Sequence, residues 1–537
     1  MSMEKRALLA IVISMVVLLL FPSIMPKPKP VVVKKDVPVQ MPQETPKKII
    51  RIEQAPLPSE KEVTFETADY KAVLSNLGGV VKSITLTKHL DSADKPIVLA
   101  SASDPRDSIF AIRGLDPELD KGIPFSFVEK PDRVIFKAGT QSGLIVEKEI
   151  IFRPEQYTIE LKQTIMNNTS QARALSYKIT GGCGITHLSP QDELYVEVVR
   201  NISGKISNVN SKSIKAETVW NGGQVYWVSL KNRYFSLILK PPVSFVNVFS
   251  KPLSSKELET GVEITGLNID PNSSVTQDFV LYAGPNDFDK IRSLKLGLED
   301  SLHLGFTGGI GRWLFVALNF FNSVLKNWGL AIILLTVLIN VILFPLTFKS
   351  LKSMKQMQAL QPRIEALRAS HKDNPQKVNK EIMELYRKYK INPLGGCLPM
   401  LLQMPVFFAL YQVLMRSIEL RGAPFLWIKD LSQPDRLIAN IPIFPNELNI
   451  LPLLMAVAMF LQQKFSTPPK SASSGASDQM AQQQRMMMFM MPVLFGVLFY
   501  KLPSGLVLYW LVNTVLTIVE QGLFLKPHLF HVEHLES

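Results

Sequence analysis

Ionisable side chains are missing where this 537-residue chain is most apolar. Stretches 328–348, 398–415, 450–461, 486–500 and 504–519 contain no Asp, Glu, Lys, Arg or His. Intramembrane proton relays and ion pathways are built from such residues. Their absence removes most catalytic and ion-coupled readings and leaves an apolar substrate. No histidine lies in these stretches to serve Ser504, which sits in a Pro-Ser-Gly turn, so an intramembrane protease lacks its base. Secondary transporters show internal repeats, and none is seen. There is no GxxxxGK[ST] loop, hence no nucleotide-driven motor. Cysteine is reduced to two distant residues, Cys183 and Cys397, which form neither a disulfide framework nor a zinc site. His89 and His187 stand alone in the soluble region. The chain is expected to be no enzyme and to take no metal or cofactor.

What is present is hydrophobic length. Hydrophobic residues make up 47% of the chain, high for a soluble protein. A spanning helix needs about 20 mostly apolar residues, and most of the five stretches reach or approach that. A sixth, residues 7–25, follows Lys5 and Arg6. It lacks a small-x-small cleavage pattern and is read as an uncleaved anchor rather than a signal peptide. Residues 26–60 are rich in Pro and Lys and read as an extended tether.

The net charge is +13, and its distribution sets the orientation. Lys27, Lys29, Lys34 and Lys35 follow the first stretch and alone would hold the next domain in the cytosol. The region 349–392 outweighs them, with Lys349, Lys352, Lys355, Arg363, Arg368, Lys372, Lys377, Lys380, Arg387, Lys388 and Lys390 against Glu365, Asp373, Glu381 and Glu384. That region is placed in the cytosol, the large domain before it outside, and both termini inside. Leu360, Ile364 and Leu367, then Val378, Ile382, Leu385 and Tyr389, form apolar stripes at helical spacing. Asn374 and Pro375 can start the second helix, so 349–392 is expected to be a cytoplasmic helical hairpin with legs of about 20 residues each. Its basic face is either a solvated surface beside anionic lipid or a landing surface for a nascent chain or ribosome.

Residues 61–300 alternate with period two, as in 144–152, 157–163 and 225–230, with Gly78-Gly79, Gly181-Gly182 and Gly222-Gly223 read as turns. Short alternating strands indicate a β-sandwich, with a scaffold or docking role. Residues 309–325 group aromatics around Arg312, Asn319 and Asn322. They read as an amphipathic helix on the outer membrane face, the alternative being a core helix of the soluble domain.

Three motifs carry a resemblance: Phe344-Pro-Leu-Thr347, the run Asn392-Pro-Leu-Gly-Gly-Cys-Leu-Pro-Met-Leu-Leu-Gln-Met-Pro-Val-Phe-Phe-Ala-Leu410, and Leu502-Pro-Ser-Gly-Leu-Val-Leu-Tyr509. The chain resembles the Oxa/YidC/Alb family of membrane protein insertases over about 310–525. Asn76-Leu-Gly-Gly79 and the Tyr226-Trp…Tyr234-Phe235 pattern extend the likeness to the periplasmic domain of its Gram-negative members. The resemblance implies a multi-domain inner-membrane protein. Its α-helical bundle has six transmembrane helices, a five-helix core plus the N-terminal anchor 1–25, with helix two at 328–348 and helices three to six in 394–525. A cytoplasmic tail, 526–537, closes the chain. It further implies an insertase and chaperone working without nucleotide, alone or with the Sec translocon, through a polar groove open to cytosol and lipid. Its partners would be nascent membrane proteins, the Sec translocon, anionic lipids and a ribosome, and not DNA. Thr336, Asn340, Gln403, Trp510, Asn513 and Thr517 are the groove candidates. Individually, these polar residues can also be read as ordinary interhelical hydrogen bonding. Asn340 stands where the family carries a groove arginine, and Trp510 where it carries a tyrosine. The tail, with His528, His531 and His534, lacks a long basic extension. A lipid-scrambling role stays open, since a polar groove facing lipid could pass headgroups.

Overall fold

The computed structural model describes residues 60–524, apart from 92–93, 155, 189–191, 243–245, 255–256, 303–307, 372–374, 390, 392–397, 440–446 and 467–477. The expected anchor, tether and tail, Asn374, Cys397 and the side chain of Arg368 lie outside the described residues. The described chain combines a large sheet domain with a helical bundle.

In the sheet domain, alternation does what period-two sequences dictate. Strand Leu144–Arg153 turns Leu144, Val146 and Ile150 inward and leaves Glu147 and Glu149 half-exposed. It pairs antiparallel with Thr158–Asn167, placing Ile150 opposite Leu161. The nine-stranded sheet runs from edge strand Lys205–Asn210 through Glu197–Ile202, Val225–Lys231, Phe235–Lys240, Ser273–Pro285, Thr158–Asn167, Leu144–Arg153 and Arg133–Gly139 to Ser126–Lys130. A five-stranded sheet centred on Leu258–Ile269 and a four-stranded sheet from Glu62–Glu66 to Pro96–Ser101 share its core. Trp227, Phe136, Tyr282, Val248 and Leu86 are all within 1% of full burial. Each such side chain contributes about 1.5–3 kcal/mol.

One expectation for this domain needs correction. Gly181 and Gly182 are no turn: both lie inside strand Arg173–Cys183. A Cβ on Gly181 would stand 2.5 Å from Leu239 Cβ, so the absent side chain lets the two sheets close on each other. The Gly78-Gly79 pair does turn, at φ of 78° and 56°. Cys183 is 1% exposed, and burial pushes its thiol pKa far up.

Short helices α1 (Pro117–Asp120) and α2 (Phe288–Ser293) belong to the sheet domain, and α3 (Gly308–Leu325) leads into the bundle. Leu314 and Leu318 of α3 join the core of the bundle, which replaces the alternative that this helix belongs to the soluble core. The opposite face exposes Trp313, Val316, Phe320 and Val324.

Helix α4 (Trp328–Ala359) runs on past 348 for 32 residues in all, with Pro345 inside it. It stops at Leu360 because Pro362 has no N–H to continue the ladder and its ring crowds the carbonyl four residues back. The first leg of the hairpin is therefore the end of α4 plus α5 (Gln361–Ser370), only 10 residues long. The second leg is α6 (Pro375–Lys388), 14 residues rather than about 20. Leu360, Ile364 and Ile391 form its small core, with Ile382, Leu385 and Tyr389 packed on it. His371 Nε2 meets Glu381 Oε2 across the legs at 3.2 Å.

Helices α7 (Leu398–Arg416), α8 (Ile450–Ser466), α9 (Asp478–Phe499) and α10 (Ser504–Phe524) complete the bundle. Among the described residues, two helices are long and apolar enough to cross a membrane, 328–357 and 504–523, and three shorter apolar ones accompany them.

Candidate functional site

Helical periodicity places Thr336 and Asn340 one turn apart on α4, and Asn513, Thr517 and Gln521 likewise on α10. The two helices pack side by side. A hydrogen bond joins the stripes: Asn340 Nδ2 donates to Asn513 Oδ1 at 3.0 Å, and also to Thr336 O at 2.8 Å. Both amides are half-buried. The hydroxyls point elsewhere. Thr336 is fully buried and donates to Ile332 O at 2.7 Å. Thr517 donates to Asn513 O at 2.8 Å. Both satisfy their protons within their own helix, so the seam between α4 and α10 is bridged by the two amides. Gln403 is half-buried on α7, beside the Tyr509 hydroxyl.

Trp510, one turn before Asn513, is where three helices meet. Its ring lies 4.9 Å from Phe407 of α7 in an edge-on contact, and 5.5 and 5.3 Å from Phe495 and Phe499 of α9. Tyr411 stacks obliquely on Phe407 at 6.4 Å. Such pairs add about 0.5–1.5 kcal/mol beyond their buried area. The sequence marks Trp510 but not these partners. Their signal, aromatics at four-residue spacing on α7 and α9, is the same as that of any apolar helix face.

One end of the bundle is closed. The segment between α7 and α8 folds back so that Leu420, Phe425, Ile428 and Leu431 enter the bundle core. Phe425 fills the space over Gly329, where a Cβ would stand 2.1 Å from the ring. Gly505 N donates to Leu431 O at 2.9 Å. Asp435 Oδ2 fastens the segment to α8 by accepting from Ile450 N at 2.8 Å, Leu451 N at 2.9 Å and Trp427 Nε1 at 3.2 Å. A carboxylate at a helix N-terminus satisfies free N–H groups and meets the positive end of the dipole.

At the other end the basic residues are mostly solvent-facing. Lys349 and Lys352 on the extension of α4, Arg363 on α5, and Arg387 and Lys388 on α6 are exposed, while Lys355 is half-buried. Arg363 lies 5.2 Å over the Tyr389 ring. The seam therefore lies between a closed end that adjoins the sheet domain and an end that carries the basic hairpin.

Comparison with known proteins gives this geometry its context. Residues 320–529 match the family described as 60Kd inner membrane protein, and residues 62–317 the family described as YidC periplasmic domain. The membrane protein insertase YidC of Pelobacter propionicus is 36% identical, over 97% of this chain and 98% of its own. That of Geobacter metallireducens is 33% identical over the same shares. A crystal structure of an active YidC insertase, with its first transmembrane domain resolved, is 20% identical. It covers 86% of this chain and 93% of its own at a TM-score of 0.39. With full-length relatives above 30% identity, the chain belongs to the YidC family of membrane protein insertases: a multi-pass inner-membrane protein that inserts and chaperones other membrane proteins.

Proposed function

We propose that insertion proceeds along the seam between α4 and α10, with Asn340 and Asn513 as its polar floor. The carrying observation is the single bond between their amides, at 3.0 Å, in a bundle whose exterior is apolar. An amide pair can trade this bond for water or for a client's polar segment at small cost, because interhelical hydrogen bonds are worth on average about 0.6 kcal/mol. Thr336, Gln403, Trp510 and Thr517 border the path. The client's apolar helix passes into lipid beside α7 and α9, and its transfer supplies the work. No nucleotide is used.

The finer topology belongs to the same proposal. Five spanning helices, α4 and α7 to α10, follow an anchor in residues 1–25. Both termini and the α5–α6 hairpin are cytosolic. The sheet domain is a periplasmic β-sandwich, and α3 lies on the outer membrane face. The closed end beneath the sheet domain and the exposed cations of the hairpin support this orientation by the positive-inside rule. Nascent membrane proteins meet the hairpin first, from a ribosome or the Sec translocon, with anionic lipid beside its lysines.

Asn340 is the test. Asn340→Ala strands one acceptor on Asn513 and is expected to lower insertion partially. Asn340→Arg is expected to be tolerated in a wet seam and to favour clients with acidic translocated segments. Two matched clients, one acidic and one neutral, are compared in sealed proteoliposomes with both variants. Unfolding of the Arg variant would mean a dry, packed seam. Total loss with a folded Ala variant would give Asn340 a larger role than hydration. Headgroup flipping without client insertion would mean that the seam passes lipid.

A further inference from the structure

The sheet domain reaches the bundle at a second place, far in sequence from its covalent link. At the end of α7 and just beyond it, Met415, Arg416, Ile418 and Arg421 meet the sheet domain. Arg233 Nε donates to Met415 O. Arg416 Nη1 stands 3.7 Å from Glu197 Oε1. Ile418 is buried in the core of the sheet domain. Ser417 donates to the carboxylate of Glu419 at 2.5 Å, and Arg421 Nη2 donates to Leu90 O at 2.6 Å.

Arg233 is the centre of this strip. It is 4% exposed, and a buried guanidinium is costly unless its donors are used. It spends its charge on a helix terminus. The last carbonyls of a helix have no partner within the helix and carry the negative end of the dipole. Met415 is the penultimate residue of α7, and Ser417 is already extended, at φ −71° and ψ 116°. Arg233 also lies over the rings of Tyr234 and Tyr195, at 4.7 and 5.8 Å, and Tyr195 adjoins Tyr411 of α7.

The loop presenting Arg233 is itself fixed. Asn232 Oδ1 accepts from Tyr234 N and Phe235 N at 2.9 and 2.8 Å, and its Nδ2 donates to Thr186 O at 2.8 Å. Asn286 Nδ2 reaches Asn232 O and Arg233 O at 3.2 and 3.3 Å. Beside it, buried Lys231 donates to Ser301 O at 2.8 Å and pairs with Glu197 at 3.2 Å. Glu197 thus faces two cations, one from each body.

We infer that the sheet domain supplies the C-terminal cap of α7, and that Arg233 is a positioning residue for insertion. The inference rests on the proposed path. Met415, Tyr411 and Phe407 are spaced four apart on α7, so they share one face. Fixing the rotation of α7 at Met415 holds Phe407 against Trp510, at the edge of the seam. The domain acts on the client path through the one helix it caps. This gives the domain a part in insertion that needs no ligand of its own.

The test uses the full chain in proteoliposomes. Arg233→Ala is expected to raise amide exchange at 412–417 roughly tenfold, the equilibrium equivalent of one hydrogen bond to a charged group. It is also expected to broaden the spin-label distance between Phe408→Cys and Val515→Cys and to slow insertion. Melting of the sheet domain should stay where it is. Arg233→Lys keeps the charge without the planar fork and is expected to recover part of each effect. If Arg233→Ala does not fold, Arg416→Gln loosens the same strip from the bundle side and is expected to move the same readouts in the same direction. Unchanged exchange and distance in a folded variant, or unchanged insertion with a loosened α7, overturns the inference. Failure of the wild-type chain to insert its client in the same vesicles overturns the proposed path instead.

Discussion

The sheet domain and the bundle solve opposite solvent problems. In the sheet domain several buried polar side chains find carbonyl partners. Lys148 is 0% exposed, yet its amine donates to Gly78 O and Phe110 O at 2.7 Å and to Gly79 O at 3.3 Å. Asn167 is likewise buried and donates to three backbone carbonyls. The bundle reverses the arrangement. Val341, Val457, Val493 and Val497 are 58–71% exposed, while its half-buried amides face each other. A domain in water hides apolar surface and satisfies what polarity it buries. A domain in lipid shows apolar surface and keeps polarity for its interior. The difference teaches that exposure by itself has no fixed energetic sign here, and that the surrounding solvent supplies it.

The largest expected effect tests the paired interior. Lys148→Met keeps the bulk of the side chain but strands three carbonyls and empties the position under Phe125. The loss is expected to be about 4 kcal/mol in stability of the sheet domain, the scale for breaking a buried network. Chemical denaturation followed by Trp227 fluorescence, in the full chain, measures it. Burial lowers the amine pKa from 10.5 to about 7. Between pH 7 and 10.5 the unfolded chain therefore holds a proton that the folded chain has released, and stability rises with pH in that window. The variant should lack this rise. A loss under about 1 kcal/mol would mean that Lys148 is replaceable by any long side chain.

The next effect sharpens the comparison by using one substitution in both solvents. Val128, in an edge strand of the sheet domain, and Val493, on α9, are 60% and 64% exposed. Val128→Lys is expected to change stability by no more than about 0.5 kcal/mol. Val493→Lys is expected to cost about 2.5–3.5 kcal/mol if that face meets the middle of a bilayer. Equal costs in nanodiscs would place Val493 against water or protein and break the contrast.

The sequence was most readable where the constraint is local. Apolar stretches, hairpin stripes and the Pro-Leu-Thr and Asn-Pro-Leu-Gly-Gly motifs are runs of neighbours, and the family followed from them. The Asn76-Leu-Gly-Gly79 motif was recognised, but its use was hidden. Positive φ at both glycines lets their carbonyls converge on Lys148, 69 and 70 positions away. Gly181-Gly182 misled because a close approach of two sheets and a turn both call for glycine. The change from apolar to basic residues after Phe348 looks like a helix boundary, yet α4 runs on to Ala359. Charge changes the solvent around a helix without ending it, and Pro362 is what stops this one. The contacts of Arg233 with Met415 and of Arg421 with Leu90 left no trace, since pairs 182 and 331 residues apart follow no periodicity.

The smallest effect concerns His89, where the two regions meet. Its ring packs edge-on against Phe235 at 5.7 Å, next to the residue whose carbonyl receives Arg421. Burial first, then the charges of Lys290 and Arg421, hold its pKa at about 4, with Asp287 and Asp69 pulling weakly the other way. The folded chain thus prefers the neutral ring. The stabilisation this brings is fully present above pH 6.5, falls as pH drops from 6.5 to 4 while the unfolded chain takes up the proton first, and is level below that. His89→Gln keeps a neutral polar side chain and removes the titration. The denaturation midpoint of the wild type is therefore expected to fall relative to the variant across that window and nowhere above it. Amide exchange at residues 418–421 locates the effect. If it accelerates on acidification in the wild type alone, the protonated ring loosens the strip that holds the bundle to the sheet domain. If the midpoint falls while exchange there is steady, the ring answers only to the sheet core around Phe235, and the two regions are less coupled at Leu90 than at Met415.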